Sequence, residues 1–259
     1  KNILVAASDR RETKAAYFYE MWFGDGAGAV TVGSEDVIAE FLGSFSVSHD
    51  FADHYRAAGF KYDYVWEERW ARDEGWAKIV PQAVNGLFSK LGITMTDVDK
   101  FIMPCIFKKE HSDIAKGLGA TPDNIVANMH EVCGDTGSAH PLVMLASVLE
   151  KAAPGERILV AAFGQGCDAL YFKVTDNINK LAPRKSVGGC LADKRKMPSY
   201  QKYLKFRDLL QVEMGIRAEA GGQTAMTTLW RKRKVITGLV GGKCVKCGTP
   251  QWPPMDICC

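Results

Sequence analysis

The stretch Glu131-Val132-Cys133-Gly134-Asp135-Thr136-Gly137-Ser138-Ala139-His140-Pro141 runs into Leu142-Val143-Met144-Leu145-Ala146-Ser147-Val148-Leu149, and this passage decides the fold. Leu142, Leu145, Ala146 and Leu149 share one face at helical spacing, so a helix is expected, opened by the small-residue loop Gly134 to Ala139. After the Pro154-Gly155 turn, Ile158 to Ala162 is short, apolar and turn-bounded, the pattern of a buried strand. Gly164-Gln165-Gly166-Cys167 then turns the chain, and Ala169 to Val174 resumes as a second strand. A loop at a helix N-terminus and a glycine turn at a strand end both expose backbone N–H groups, which can stabilise a developing oxyanion. A plain βαβ piece of an α/β core has the same pattern.

Outward from this centre, Val98 to Met103 reads as a strand ending in Pro104-Cys105, and Ile106 to Leu118 as a helix that Gly119 helps close. Cys105 thus stands at a strand-to-helix junction, where a thiol either feels the helix N-terminus and becomes acidic or is buried and inert. His111 falls on the following helix as a solvated or packed residue, and His140 opens the later helix, closer to the candidate site. Further upstream, Trp76 to Leu91 carries an apolar stripe of helical period, a core-facing helix. Ser48 to Glu74 is crowded with aromatics and charges, either the wall of a pocket or a surface loop anchored by buried rings. Asn2 to Ala7 and Val37 to Val47 are strand-like. The run Gly24-Asp25-Gly26-Ala27-Gly28-Ala29-Val30 lacks the Lys-Ser/Thr of a phosphate loop and leads into a strand, so its glycines are read as sites of close backbone packing.

At 259 residues, with 47% apolar and 24% charged residues, the chain has the composition of a soluble globular protein large enough for a full core. A net charge of +3 is too small to imply nucleic acid or an anionic membrane, and no apolar run approaches a membrane span. Eight cysteines, four scattered and four crowded at the C-terminal end, fit a reducing cytoplasm better than a disulfide framework. The sequence opens inside a strand-like run and stops at Cys258-Cys259, so a piece of a longer polypeptide is expected.

In order and spacing, the series Gly24 to Val30, strand-Pro104-Cys105, Gly134-Asp135-Thr136 and Phe163-Gly164-Gln165-Gly166 resembles the C-terminal part of the thiolase superfamily. Ketoacyl-ACP synthase III and 3-hydroxy-3-methylglutaryl-CoA synthase are the members it looks most like, over about residues 1–175. The resemblance implies an α/β protein with the layered αβαβα fold, represented by its C-terminal half and the end of its N-terminal half. It also implies a coenzyme A thioester as substrate, Claisen-type carbon–carbon bond formation or its reversal, and a homodimer. In that family a cysteine accepts the acyl group while a histidine and an asparagine handle the second substrate. The family histidine falls here on Cys105 and the asparagine on Asp135, and the acyl-accepting cysteine should lie upstream of Lys1. Cys105 and Asp135 are therefore the acid/base candidates, with Gly134, Gly164, Gln165 and Gly166 as the oxyanion or substrate loop, and His140 and Cys167 as pocket residues. A thiol and a carboxylate do not simply replace an imidazole and an amide, so a non-catalytic acyl-CoA-binding scaffold, or a partner subunit in a thiolase complex, is the alternative.

Beyond Val174 the character changes. Thr175 to Lys196 is polar and loop-like, Met197 to Glu213 is an amphipathic helix expected to dock through Tyr200, Tyr203 and Phe206, and Gly215 to Thr228 is flexible by composition. Trp230-Arg231-Lys232-Arg233-Lys234 is a basic cluster, either a contact for coenzyme A phosphates or nucleic acid or, as such runs more commonly are, a solvated linker. Cys244-Val245-Lys246-Cys247-Gly248 is a zinc knuckle, and Cys258, ten residues after Cys247, has ribbon spacing, with Cys259 a strained fourth ligand. This tail resembles the zinc ribbon of the ribbon-plus-OB-fold proteins that partner or fuse with thiolases, which implies a structural zinc and no catalytic metal. The expected organisation is a thiolase-like domain over residues 1–176, a linker with a docking helix over 177–238, and a zinc ribbon over 239–259. A nucleic-acid-binding ribbon rests only on the ribbon and basic cluster, and neither nucleic acid nor membrane is expected as a partner.

Overall fold

The computed structural model describes residues 1–212 and 226–257. Expectations that fall on Cys258, Cys259 and most of residues 213–228 lie outside the described residues. The chain divides into two compact units, Lys1–Lys202 and Tyr203–Cys259.

The first unit opens with β1 (Ile3–Arg10) and β2 (Asp25–Val32), paired antiparallel from Ile3↔Val32 to Arg10↔Asp25. A longer strand, β3 (Ala39–Ser48), and a two-residue pair, β4 (His54–Tyr55) and β5 (Tyr64–Val65), follow. Helix α1 (Glu68–Trp70) passes through a widened turn, Ala71–Trp76, into α2 (Ala77–Leu91), which ends at Gly92 in the left-handed region. Then come β6 (Lys100–Ile102), α3 (Lys108–Gly117), the short α4 (His130–Cys133), α5 (His140–Leu149), β7 (Arg157–Gly164) and β8 (Gly166–Val174).

A mixed sheet of order β3-β8-β7-β6 forms the centre. β7 is parallel to β6 and antiparallel to β8, and β8 is antiparallel to β3. Side chains alternate across a strand, so a sheet covered on both faces reads as continuous apolar sequence. Phe101, Met103, Leu159, Ala161, Ala169 and Tyr171 bury on the face that receives Val80, Ala83, Val84 and Leu87 of α2 and Ile114 of α3. Ile102, Ile158, Val160 and Val174 bury on the other, against Met144 and Leu145 of α5. Helix, sheet and helix make three layers, and the strand apposition sets the end of β6 beside the loop that opens α5.

The glycines of the Gly24 to Val30 run have a spatial cause. A Cβ on Gly24 would lie 2.0 Å from the Cys133 carbonyl oxygen, one on Gly26 2.5 Å from Thr136 Cβ, and one on Gly28 2.8 Å from Leu142 Cβ. Strand β2 therefore lies directly against the turn before α5. Close packing is the reason for these residues, as the sequence suggests.

Three segments differ from expectation. The turn between β7 and β8 is tighter, because Gly164 pairs with Gly166 across the single residue Gln165, so the second strand starts at Gly166 rather than Ala169. The stretch read as loop after Thr175 holds a 3-10 turn at Asp176–Lys180 and a short helix at Val187–Ala192, whose two glycines weaken any helical signal in the sequence. The docking helix is Tyr200–Phe206, shorter than Met197 to Glu213. Tyr200 fixes its start: the hydroxyl accepts the Ala16 N–H at 2.9 Å and donates to Glu20 Oε2 at 2.9 Å.

In the second unit, helices Met226–Arg231 and Arg233–Ile236 carry the basic cluster, with the Arg233 guanidinium 4.0 Å over the Trp230 ring. Strands Gly242–Lys243 and Pro250–Gln251 pair around the Cys244–Cys247 turn. Among the described residues, no helix is long and apolar enough to cross a membrane.

Candidate active site

The loop after β1 sends Arg11 into the interior, where its side chain is only 3% exposed. A buried guanidinium demands partners. Two carboxylates meet it: Nε donates to Asp63 Oδ2 at 2.5 Å and Nη1 to Asp135 Oδ2 at 2.5 Å. Its plane lies 4.0 Å over the Phe23 ring, and Arg56 reaches the second oxygen of Asp63 at 3.4 Å. Asp135 is held equally firmly by its backbone, its N–H donating to Trp22 at 2.6 Å and its carbonyl accepting from Gly24 at 2.9 Å. Its Oδ1 accepts the Gly137 N–H at 3.0 Å.

Two histidines complete the cluster. His140, 1% exposed at the start of α5, accepts the Thr136 N–H at Nδ1 (3.1 Å). That bond places its ring proton on Nε2, which has no hydrogen-bond partner among the described residues. His130, on α4, stacks on it with ring centroids 4.3 Å apart and planes 10° from parallel. His130 Nε2 lies 4.0 Å from Asp135 Oδ1. Burial, and then the neighbouring His140, push His130 down to about 4, and burial also lowers His140 and His111. All three imidazoles are therefore neutral near pH 7.

Of the residues singled out in the sequence, Asp135, Gly134 and His140 do come together here. Cys105 lies near enough for the Asp135 charge to act on it, but its thiol is 2% exposed and donates to the Phe107 carbonyl at 3.6 Å. Burial outweighs that bond and pushes the thiol up to about 12. Of the two alternatives for Cys105, the geometry gives the buried, neutral one. Asn128, which the sequence reading passes over, clamps this residue, accepting the Cys105 N–H at 3.2 Å and donating to its carbonyl at 2.7 Å. Cys167 sits in the core on the α2 face of the sheet, 3% exposed, with its thiol likewise pushed up by burial to about 12. Its surroundings are those of a packing residue rather than a pocket wall. The Gly164-Gln165-Gly166 turn rests on the end of β3, where His49 N–H donates to the Gln165 carbonyl at 3.3 Å, and Phe163 packs on Trp76 at 4.4 Å.

Arg11, Asp63 and His130 are the residues that sequence reasoning missed. Arg11 hides in Arg10 to Ala16, a segment whose sequence is simply that of a polar loop. His130 had a usable signal, because His130, Asp135 and His140 are evenly spaced at five residues. These three present ligand atoms within 4.8 Å of one another. Near-parallel rings aim their in-plane lone pairs along parallel planes instead of at one point, and the Asp135 oxygens are already taken by Arg11 and the Gly137 N–H. The set suits proton handling better than a cation.

The family model for the C-terminal part of 3-oxoacyl-[acyl-carrier-protein (ACP)] synthase III matches residues 88–171. The fold superposes on a 3-oxoacyl-[acyl-carrier-protein] synthase III from Aquifex aeolicus VF5 with a TM-score of 0.55 at 19% identity, covering 67% of this chain and 58% of that one. It superposes on an HMG-CoA synthase complexed with CoA with a TM-score of 0.66 at 16% identity, covering 86% and 61%. The chain is thiolase-like. Hydroxymethylglutaryl-CoA synthases are its relatives in sequence: that of Aeropyrum pernix is 32% identical over 230 residues, covering 87% of this chain and 60% of the relative. That of Caldivirga maquilingensis is 27% identical over 216 residues, covering 82% and 61%. This thiolase-like chain thus spans between 49% and 61% of the length of the curated relatives it matches. Cys105, His130, Asp135 and His140 fall within the matched 88–171 region, whereas Arg11 and Asp63 fall outside it.

The buried titratable groups set a pH window for this thiolase-like unit. His111, His130 and His140 are held below 6.5, so between that value and about 4 the unfolded chain binds protons that the folded one refuses, and stability falls as pH drops. His54 has the opposite sign but acts at higher pH: burial lowers it, but the Asp53 bond more than compensates, so its contribution builds as pH falls towards 6.5 and is constant below that value. At the alkaline end, Cys105 and Cys167 keep their protons to about 12 while unfolded thiols ionise near 9, so stability falls again above that value. Melting temperature is expected to be flat between about pH 6.5 and 9 and to fall on both sides. His140→Asn should shallow the acid limb of that profile, and an unchanged limb would mean that the imidazole is not held neutral.

Proposed function

We propose that the full-length protein is a coenzyme A-dependent acyltransferase of the HMG-CoA synthase or ketoacyl synthase III kind, making or breaking a carbon–carbon bond next to an acyl-CoA thioester. The observation that carries this reading is the buried Arg11–Asp135–histidine cluster, which stands where the resemblance puts the family's acid/base pair. In this reading Cys105 is a neutral thiol that donates hydrogen bonds, and Asp135 supplies fixed negative charge. Asp135 beside Arg11 does not repel an enolate as a lone carboxylate would, because the guanidinium offsets it. The acyl-CoA substrate, the homodimer and the oxyanion role of the Gly164 to Gly166 turn follow from the same likeness. Association with a thiolase complex follows from the likeness of the tail, and a cytoplasmic location follows from the cysteine usage.

A structural zinc in the C-terminal unit belongs to this proposal. The Cys244–Cys247 turn has the form of a knuckle: the Cys244 N–H donates to Thr249 at 2.9 Å, the Gly248 N–H donates to Cys244 at 2.9 Å, and Gly248 has φ +74. Cys244 and Cys247 would supply two thiolates, with Cys258 and Cys259 as the other pair. When bound, the zinc would hold the ribbon's chain ends together.

Intact-mass spectrometry of the full-length protein tests both parts. Brief incubation with acetyl-CoA or acetoacetyl-CoA is expected to leave an acyl adduct on a cysteine upstream of Lys1, and the native mass should include one zinc. Absence of any adduct, with acyl-CoA still bound, would transfer the assignment to a non-catalytic scaffold. That second reading has its own support in the neutral, buried thiol at position 105.

A further inference from the structure

In the acid/base pair implied by the resemblance, both side chains are already engaged. Cys105 is a neutral thiol in the core, and Asp135 has one oxygen on Arg11 and the other on the Gly137 N–H. A reaction at the carbon beside a thioester nevertheless needs a base within reach of that carbon. Of the three neutral imidazoles, His111, His130 and His140, His130 is the one most open to solvent. Its side chain is 17% exposed, whereas His140 is 1% exposed and His111 8%. Its Nε2 edge faces Asp135 Oδ1 at 4.0 Å, and its Nδ1 is the buried nitrogen.

The surroundings hold this ring in one place. His140, its tautomer fixed by the Thr136 N–H, forms a flat floor 4.3 Å beneath it. The helix that carries His130 ends at Gly134, with φ +71, where the chain touches Gly24, just before β2, so closely that neither glycine has room for a Cβ. A ring supported by a stacked neighbour, and mounted on a locked turn, loses little freedom when it acts.

We propose that His130 is the proton-transfer base of this site, with His140 and Asp135 as the residues that position it. The assignment rests on the acyl-CoA reading above. In the step, the C–H bond next to the thioester carbonyl breaks and its electron pair stays on the substrate as an enolate. The proton binds the Nε2 lone pair of His130. The imidazolium so formed faces the Asp135 carboxylate, an attraction that exists only after transfer and so favours the charged state over the resting one. Returning the proton to carbon, or to a product oxygen, restores the neutral ring, and no oxidant or metal is required.

The test is deuterium uptake at the α-carbon of acetyl-CoA and acetoacetyl-CoA incubated with the full-length protein in D2O, read by mass spectrometry. His130→Ala is expected to slow exchange by about 100-fold or more, with acyl-CoA affinity by calorimetry unchanged. Added imidazole should restore exchange to the variant, and more basic substituted imidazoles should restore it faster. His130→Asn, closer in size, should show the same loss if the alanine variant folds poorly. Full exchange in both variants would remove His130 and leave the acyltransferase reading standing. Loss of exchange without imidazole rescue would make His130 a structural residue, again sparing that reading. A wild-type protein that binds acyl-CoA yet exchanges nothing would overturn both.

Discussion

Replacing Arg11 with methionine is expected to destabilise the protein by about 3–5 kcal/mol, a large share of the stability of an ordinary domain. The reason is the asymmetry between making and breaking a buried ion pair. Arg11 and Asp63 are each 3% exposed and Asp135 15%, so methionine would strand two carboxylates in a site that water barely reaches. Arg56 touches Asp63 at 3.4 Å and compensates only that one. Arg11→Lys keeps the charge but not the fork that serves two acids at once, nor the flat contact with Phe23, so an intermediate loss is expected. The decisive variant combines Arg11→Met with Asp63→Asn and Asp135→Asn. If stranded charge is the cause, urea unfolding will show the triple variant more stable than Arg11→Met alone. If the triple variant is no better, Arg11 matters through packing against Phe23, and the ion pairs are incidental.

This cluster also marks the limit of what the sequence alone reveals. The sheet and its helices were legible because their signals are local: the stripe of α2, the apolar run of β7 and the strand-Pro104-Cys105 junction each carry their own pattern. The glycines of the Gly24 to Val30 run were legible in kind, since a small-residue run without a phosphate-loop lysine implies close packing, though not that Thr136 and Cys133 are what they pack against. Within the site, Asp135 was found because the resemblance passes through it, and His140 because it opens the helix that follows that loop. Arg11 was not, because its role depends on carboxylates that lie 52 and 124 residues away in sequence, and no local pattern encodes such a meeting. Cys105 shows a different limit. Its place at a strand-to-helix junction was correct, but the state of a thiol is set by how deeply the neighbouring layers bury it.

The Gly164-Gln165-Gly166 turn supports a sharper comparison, because its two glycines look alike in sequence and differ completely in space. Gly166 has φ +120, and a Cβ there would lie 1.9 Å from the Val47 carbonyl oxygen and 2.9 Å from its carbonyl carbon. The obstacle is backbone, so β3 itself must move. Gly166→Ala therefore combines a disfavoured backbone conformation with an overpacked strand pair, for an expected loss of about 2–6 kcal/mol. The damage should centre on the Ser48↔Gly166 and Val47↔Cys167 pairs, where amide hydrogen exchange will read it directly. At Gly164 a Cβ would meet nothing within 4 Å and no positive φ demands glycine, so Gly164→Ala should change stability by no more than about 0.5 kcal/mol. The pair then separates architecture from chemistry. Suppose that Gly164→Ala is stable but lowers deuterium exchange into acyl-CoA. The open space at Gly164 is then needed by the substrate, as an oxyanion-side loop requires. If it is stable and fully active, the turn's function is to hold β7, β8 and β3 in register, and the oxyanion has to be held elsewhere.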